Sequence, residues 1–129
     1  MTTCGLWAGQ RGLVAVLLDR TGRKRYCLVT STDDARAGFA CWLTAADADL
    51  VMDDRLIATN GIARVARRSG VTVWIAALPL VAALLRATGL TRASPRAAAA
   101  LLARLPTIPW MRAQLRRLEP DDGRQIALL

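Results

Sequence analysis

The sequence predicts an α/β domain built on one mixed sheet with helices at its sides. Three short apolar stretches, at 4–8, 13–18 and 25–31, are separated by turn-forming residues, which is typical of an antiparallel meander. Beyond them the apolar period changes, and helical segments alternate with two more strand-like runs. Strands that alternate with helices favour parallel pairing, so the order predicts a three-strand antiparallel meander followed by two parallel strands.

Each element of the first half has a local signal. Residues 13–18 read LVAVLL, rich in the branched side chains that strands favour, and Gly22 can supply a positive φ in the next turn. The segment 31–46 predicts a helix, because Thr32 or the preceding serine can cap it and two aspartates lie in its first turn. We interpret those two aspartates as helix-end stabilisation and not as catalytic groups.

The second half alternates strand and helix. Its predicted elements are a strand within DLVMDD (49–54), a helix at 56–68, a strand at 71–77 and helices at 79–86, 94–105 and 110–118. Ser94 caps the helix that follows it, and Pro95 lies in the first turn, where a missing N–H costs nothing. We divide the chain into a domain at 1–105 and a C-terminal helix with an apolar tail at 106–129.

Composition limits the classes of function. The chain has 129 residues, typical of one domain, and a net charge of +8 from 18 basic and 10 acidic residues. Such an excess fits a protein that meets phosphate backbones or an acidic partner. There is no histidine, and the three cysteines form no CxxC pair, so a zinc site is not expected.

The cysteines and apolar runs predict the cellular setting. Three widely spaced cysteines are typical of free, buried thiols in a reduced compartment, so we expect a cytoplasmic protein. No signal peptide is visible at the N-terminus. The longest apolar run, 71–85, contains a proline and is too short to span a bilayer, so no membrane association is expected.

Four stretches resemble one known family in order and spacing. They are GLWAGQ (5–10), VMDDRLIATNG (51–61), IAALPLVAALLRA (75–87) and ASPRAAAALLARL (93–105). They are similar to the G-I-D-x-G-K strand, the V-x-E-A-T-G strand, the strand ending in N-P and the K-T-D-R-x-D-A-x-L-L-A-R-L helix of the RuvC-like N-terminal domain of DEDD-type insertion-sequence transposases. The resemblance spans about residues 4–105 and implies an RNase H-like fold.

The same resemblance implies that the catalytic acids are mostly lost. Active members hold two divalent metal ions between four carboxylates. Their positions fall on Trp7, Asp53, Pro95 and Ala98, of which only Asp53 can bind a metal. The resemblance therefore implies a catalytically inactive domain without a metal or other cofactor, with Mg²⁺ as the alternative if unorthodox ligands take over.

Three interpretations are open for the two acids at the end of DLVMDD. Asp53 and Asp54 can cap the next helix, Asp53 can be a vestigial metal-ligand position, or it can still work in a metal site. Asp54 points to the opposite face if the strand continues. Asp19 and Asp49 are conceivable replacement ligands, although the first belongs to a hairpin turn and the second to the wrong end of its strand.

Three functions compete. The first is a pseudo-nuclease of mobile-element origin that binds nucleic acid, with DNA favoured over RNA, through Arg20, Arg23, Lys24, Arg25, Arg64, Arg67, Arg68, Arg92 and Arg96. Tyr26 is the one exposed aromatic candidate, so base stacking has little support from the sequence. The second is an interaction scaffold that forms a homodimer or larger complex through 106–129. The third is a metal-dependent nuclease with unorthodox ligands.

Overall fold

The described part of the chain forms one mixed sheet with helices on both faces. The computed structural model describes residues 2–9, 12–29, 32–59, 61–89 and 94–118. Sheet and helices follow each other along these segments in the predicted α/β order. No helix in them is long and apolar enough to cross a lipid bilayer.

The first three strands form the predicted antiparallel meander. β1 (Thr2–Gly9) pairs with β2 (Gly12–Leu18), and β2 pairs with β3 (Lys24–Val29). Asp19 holds the turn between β2 and β3, because its carboxylate accepts hydrogen bonds from two backbone N–H groups and a hydroxyl in that turn. Gly22 has the positive φ, +81°, that the sequence predicts for this turn.

Two parallel strands extend the sheet on the β1 side. β4 (Ala48–Asp53) lies parallel to β1, and β5 (Val73–Ala76) lies parallel to β4. A two-residue strand, β6 (Arg116–Arg117), pairs antiparallel with β5 at the edge and gives the order β3-β2-β1-β4-β5-β6. The first five strands confirm the predicted mixed sheet, and their order is consistent with an RNase H-like arrangement.

Helices bury both faces of the sheet. One face carries α1 (Asp33–Ala45), α2 (Arg55–Thr59) and α3 (Ile62–Arg68), and the other carries α4 (Leu78–Ala87), α5 (Pro95–Arg104) and α6 (Pro109–Arg112). Because successive residues of a strand point to opposite faces, Leu50 and Met52 join the α1 side while Val51 joins the α5 side. Burial on both sides explains the continuous apolar run of β4.

Helix α5 packs very closely on β1. A Cβ atom at Gly5 would lie 1.8 Å from the carbonyl oxygen of Ala99 and 2.7 Å from the backbone nitrogen of Ala103. Only glycine permits this approach, and the buried hydroxyl of Thr3 donates a hydrogen bond to the Ala103 carbonyl oxygen. Ser94 caps α5 as predicted, by accepting a hydrogen bond from a backbone N–H of its first turn. α5 is therefore fixed against β1 along its length.

Two predicted helices are wrong in part. The predicted helix 56–68 is divided into α2 and α3, and Gly61 precedes α3 with a φ of +73°. The predicted helix 110–118 ends after its first turn, and the chain turns into β6. There the N–H of Leu118 donates to the carbonyl oxygen of Val73 at 2.8 Å. The open edge of β5 offers backbone partners that a longer helix would leave unpaired.

The C-terminal segment joins the same sheet as far as it is described. Met111 and Leu115 are buried in the core on the α5 face, and Leu118 is buried in the core on the α1 side. Residues 119–129, which include the predicted apolar end, lie outside the described residues. The part of 106–129 that the structure describes therefore packs on its own sheet.

The cysteines are free thiols in three different environments. Cys4 is buried, Cys27 is half-buried and Cys41 is exposed on the outer side of α1, so the expectation of burial is wrong for Cys41. Burial raises the pKa of the Cys4 thiol above its usual range and, to a smaller extent, that of Cys27. Both thiols therefore stay protonated at neutral pH.

Candidate functional site

Two of the four expected acid positions are neighbours at one end of the sheet. The β1–β4 register pairs Leu6 with Met52, so Trp7 and Asp53 are neighbours one residue further on. Both lie at the carboxyl ends of parallel strands, where α/β proteins commonly place their sites. Pro95 lies beside β1, within 3.0 Å of where a Cβ on Gly9 would be. The structure thus places Trp7 beside Asp53, and Pro95 near the end of β1.

Asp53 is fully buried and paired with Arg55. The Nε of Arg55 donates to Oδ1 of Asp53 at 2.8 Å and its Nη2 donates to Oδ2 at 2.9 Å. The backbone N–H of Arg55 also donates to Oδ1, at 3.0 Å, and this bond caps the start of α2. The side chain of Asp53 is 0% exposed and that of Arg55 is 41% exposed. Both carboxylate oxygens therefore already hold a cationic partner.

The same guanidinium covers the ring of Trp7. Its central carbon lies 4.7 Å from the ring centroid, within the range of a cation–π contact. Donating hydrogen bonds to the Asp53 carboxylate raises the pKa of Arg55 above its ordinary value, so the group stays charged. We call Trp7, Asp53 and Arg55 the Arg55 cluster. In this cluster the charged guanidinium is paired with the carboxylate of Asp53 where two strands present their carboxyl ends.

The donor atoms at this edge do not fit a pair of divalent metal ions. A two-metal site needs several free carboxylates, but of the four expected positions Asp53 alone is an acid, and both its oxygens accept hydrogen bonds from Arg55. Pro95 and Ala98, at two of the other positions, offer no ligand. Nowhere in the described residues do three or more acidic, thiol or imidazole groups cluster to hold an ion.

The other acids have structural partners. Asp54 follows the last residue of β4 and is exposed, and its Oδ1 accepts a hydrogen bond from the N–H of Leu78 at 3.2 Å. It therefore caps α4 and not the helix that follows it directly, as one interpretation had it. Asp49 accepts from Nε1 of Trp74 at 3.0 Å near the opposite end of β4. The Thr21 hydroxyl lowers the pKa of Asp19 within its turn.

An open groove lies beside the Arg55 cluster. Its volume is about 690 Å³, and it is lined by Trp7, Ala8, Gly9, Gly12, Val14, Tyr26, Cys27, Leu28, Ser94, Pro95 and Arg96. The guanidinium of Arg96 lies over the Tyr26 ring, 4.9 Å from its centroid. Tyr26 is 49% exposed and Leu28 is 60% exposed. The groove therefore presents apolar and aromatic surface next to a cation.

The predicted basic residues lie in two separate regions. Arg20, Arg23, Lys24 and Arg25 are exposed on the β2–β3 hairpin, while Arg64, Arg67 and Arg68 belong to α3 on the opposite side of the sheet. Arg96 lies at the groove, on the side of α5, and Arg92 lies outside the described residues. A single flat ligand cannot touch both the groove and α3, so these residues do not form one surface.

Sequence reasoning missed two arginine environments. Arg55 follows Asp53 by two residues at a helix start, a spacing that signals a local ion pair, so the sequence held a clue. Arg112 and Arg117 both lie near the ring of Trp74, at 5.4 and 5.9 Å from its centroid. That arrangement depends on β6, for which the sequence has no signal.

Comparison with known proteins does not add a family to this picture. No protein-family model matches the sequence, and no curated protein matches it. The resemblance to RuvC-like transposase domains therefore rests on the four stretches and on the strand order, and it stays a prediction.

Proposed function

We propose that this chain is a catalytically inactive RNase H-like module, of mobile-element origin, that binds nucleic acid without a metal. The Arg55 cluster carries the proposal: the one remaining acid is neutralised from within by Arg55. DNA is the favoured target over RNA, and the cytoplasm is the expected setting. The net positive charge of the chain can attract phosphates, while both carboxylate oxygens of Asp53 are already bound to Arg55.

The distribution of charge supports binding to phosphates. The net charge is +8, and four exposed basic residues stand on the β2–β3 hairpin, whose second strand contributes Tyr26 and Leu28 to the groove. Each neutralised phosphate releases counterions, so affinity falls steeply as salt rises. For about four phosphate contacts, we expect roughly a 100-fold loss of affinity between about 50 and 200 mM salt.

A binding titration at two salt concentrations tests the proposal. Fluorescence anisotropy with labelled duplex, branched and single-stranded DNA, and with RNA, gives the affinities. Arg20→Gln with Arg23→Gln removes two charges from the β2–β3 turn, and Arg67→Gln with Arg68→Gln removes two from α3 on the opposite face. We expect the hairpin pair to weaken binding more than the matched α3 pair. A flat response to every nucleic acid at low salt would reject the proposal.

Loss of nuclease activity has its own test. Supercoiled plasmid incubated with Mg²⁺ or Mn²⁺ should stay intact, because the single acid is bound to Arg55. Nicking that disappears in Asp53→Asn would establish the metal-dependent alternative and contradict the inactive assignment.

An interaction scaffold is the second candidate, and an exposed tryptophan favours it. Trp110 is 65% exposed on α6, within the segment predicted to contact partners. If the chain forms a homodimer through this residue, light scattering will show a dimer that Trp110→Ala converts to a monomer. A monomer across the whole concentration range counts against self-association.

A further inference from the structure

The groove beside the Arg55 cluster has the shape and chemistry of a site for single strands. We infer that it binds a single-stranded nucleic acid, with a base against its aromatic floor and phosphates at its basic rim. This inference rests on the proposed function and names both the class of ligand and the place where it binds.

The floor of the groove is a row of apolar side chains that ends at the edge strand β3. The registers pair Trp7 with Val14 and Val14 with Leu28, so these three side chains form one row across β1, β2 and β3. That row spans two strand spacings, about 10 Å. Pro95 lies over Gly9, within 3.0 Å of where its Cβ would be, whereas Leu28 at the edge strand is 60% exposed. A flat ring can therefore approach the floor from the side of β3.

The aromatic and apolar side chains of the groove are unusually exposed. Tyr26 and Leu28 are two of the large hydrophobic residues that the described chain leaves exposed, at 49% and 60%, and they lie on the same face of one edge strand. Trp7 is half-buried at the other side of the floor. Because Arg55 covers the ring of Trp7, Tyr26 is the ring that a base would contact, and every nucleobase has a π-face for that contact.

Charge complementarity selects an oligonucleotide over an apolar peptide. Arg96 lies over the Tyr26 ring, and Lys24 occupies the same strand face two residues before Tyr26. The residues that line the groove in the described chain include no acid. A base on the floor would leave its flanking phosphates near these cations, whereas an apolar helix would leave the cations unused. The volume of about 690 Å³ is in the usual range for ligand sites.

Substitution of Tyr26 gives the direct test. The probes are labelled oligothymidine and oligouridine of about 20 nucleotides and a duplex of equal length, measured by anisotropy at low salt. Tyr26→Ala should weaken single-strand binding by about 5- to 100-fold, while Tyr26→Phe, which keeps the ring, should stay within about twofold of the parent. Duplex binding should change by less than about twofold in both variants. The two single strands share rings and phosphates, so their difference identifies DNA or RNA as the source.

Matched controls separate the groove from general surface effects. Arg96→Gln should weaken binding more than Arg86→Gln, which removes the same charge from an exposed residue on α4. An oligonucleotide carrying a fluorescent aminopurine reports stacking without any variant, through quenching when the base contacts a ring.

The outcomes distinguish this inference from the proposed function. Equal effects of Arg96→Gln and Arg86→Gln, or an equal loss of duplex and single-strand affinity in Tyr26→Ala, would overturn the binding site in the groove while the proposed nucleic-acid binding stands. Unquenched aminopurine in a saturated complex would also overturn it. If no nucleic acid binds at low salt, both the inference and the proposed function are wrong.

Discussion

Replacement of Arg55 measures how much its contact with the buried carboxylate of Asp53 contributes to the free energy of unfolding. Arg55→Met removes the two side-chain hydrogen bonds, at 2.8 and 2.9 Å, and leaves a fully buried carboxylate with one backbone N–H. Removing one partner of a fully buried pair costs about 3–5 kcal/mol. Because the Arg55 side chain is 41% exposed, water can replace part of the interaction, and we expect a loss of about 2–3 kcal/mol. For this chain length the Tm should fall by roughly 6–12 °C.

A double-mutant cycle makes the test independent of simple packing loss. Asp53→Asn keeps an oxygen that can accept from the Arg55 backbone N–H, and it should cost about 1–2 kcal/mol in urea unfolding. The double variant should be more stable than Arg55→Met alone, because it no longer buries an unpaired charge. If instead the two single losses add to within about 0.5 kcal/mol, the residues do not interact as described and the reasoning fails.

Two further substitutions serve as controls for this cycle. Arg86→Met removes an exposed arginine from the last turn of α4 and should change the unfolding free energy by less than about 0.5 kcal/mol. Arg55→Lys keeps a cation near Trp7 but loses the planar two-point contact with Asp53, so its stability should fall between those of the parent and Arg55→Met. An Arg55→Lys variant as stable as the parent would contradict the importance of the bidentate contact.

Three other predictions concern the fold around the site. Gly5→Ala would place a Cβ 1.8 Å from the Ala99 carbonyl oxygen and should cost about 3 kcal/mol or more in thermal melting. Gly38→Ala, with no atom within 4 Å, should instead stabilise α1 by about 0.5–1 kcal/mol, and equal effects of the two would contradict the close contact. Asp54→Ala removes a 3.2 Å hydrogen bond to the first backbone N–H of α4 and should cost about 0.5–1 kcal/mol in urea unfolding, and no loss would show that the cap is not formed. The pKa of Asp19 is lowered in the fold, so its stabilising effect is present above the unfolded-state value of about 3.9 and is lost as the pH falls through the lower folded value. The difference in Tm between the parent and Asp19→Ala should therefore shrink from pH 7 to pH 2, and a constant difference would contradict the role of the charge.

The meander could be predicted because its signals are local. The conformations of LVAVLL in β2 and of the turn around Gly22 are each determined by the preferences of a few neighbouring residues. β6 could not be predicted in the same way, because Arg116 and Arg117 have no strand signal of their own. They form a strand because β5 offers an open edge, which is a property of the assembled sheet. The spacing of Leu115 and Leu118 fits the apolar stripe of a helix equally well, so the pattern alone predicted a helix at 110–118 where the chain forms β6.

The candidate site could be located more easily than it could be interpreted. The strand end at Asp53 was visible from an apolar run followed by acids. The contact of Arg55 with Trp7 was not, because it depends on the register between β1 and β4, which are separated by two strands and a helix along the chain. The groove was also hidden, since β3 leaves Tyr26 and Leu28 uncovered only when α5 lies over β1.

A cation that is part of the chain behaves unlike one taken from solution. The guanidinium of Arg55 cannot be diluted away, chelated or exchanged for another ion, and it does not lose its proton in a protein. Chelators should therefore leave this end of the molecule as it is. Ion-dependent chemistry at this end of the sheet would require the removal of Arg55 as well as additional carboxylates, because the guanidinium holds both oxygens of Asp53.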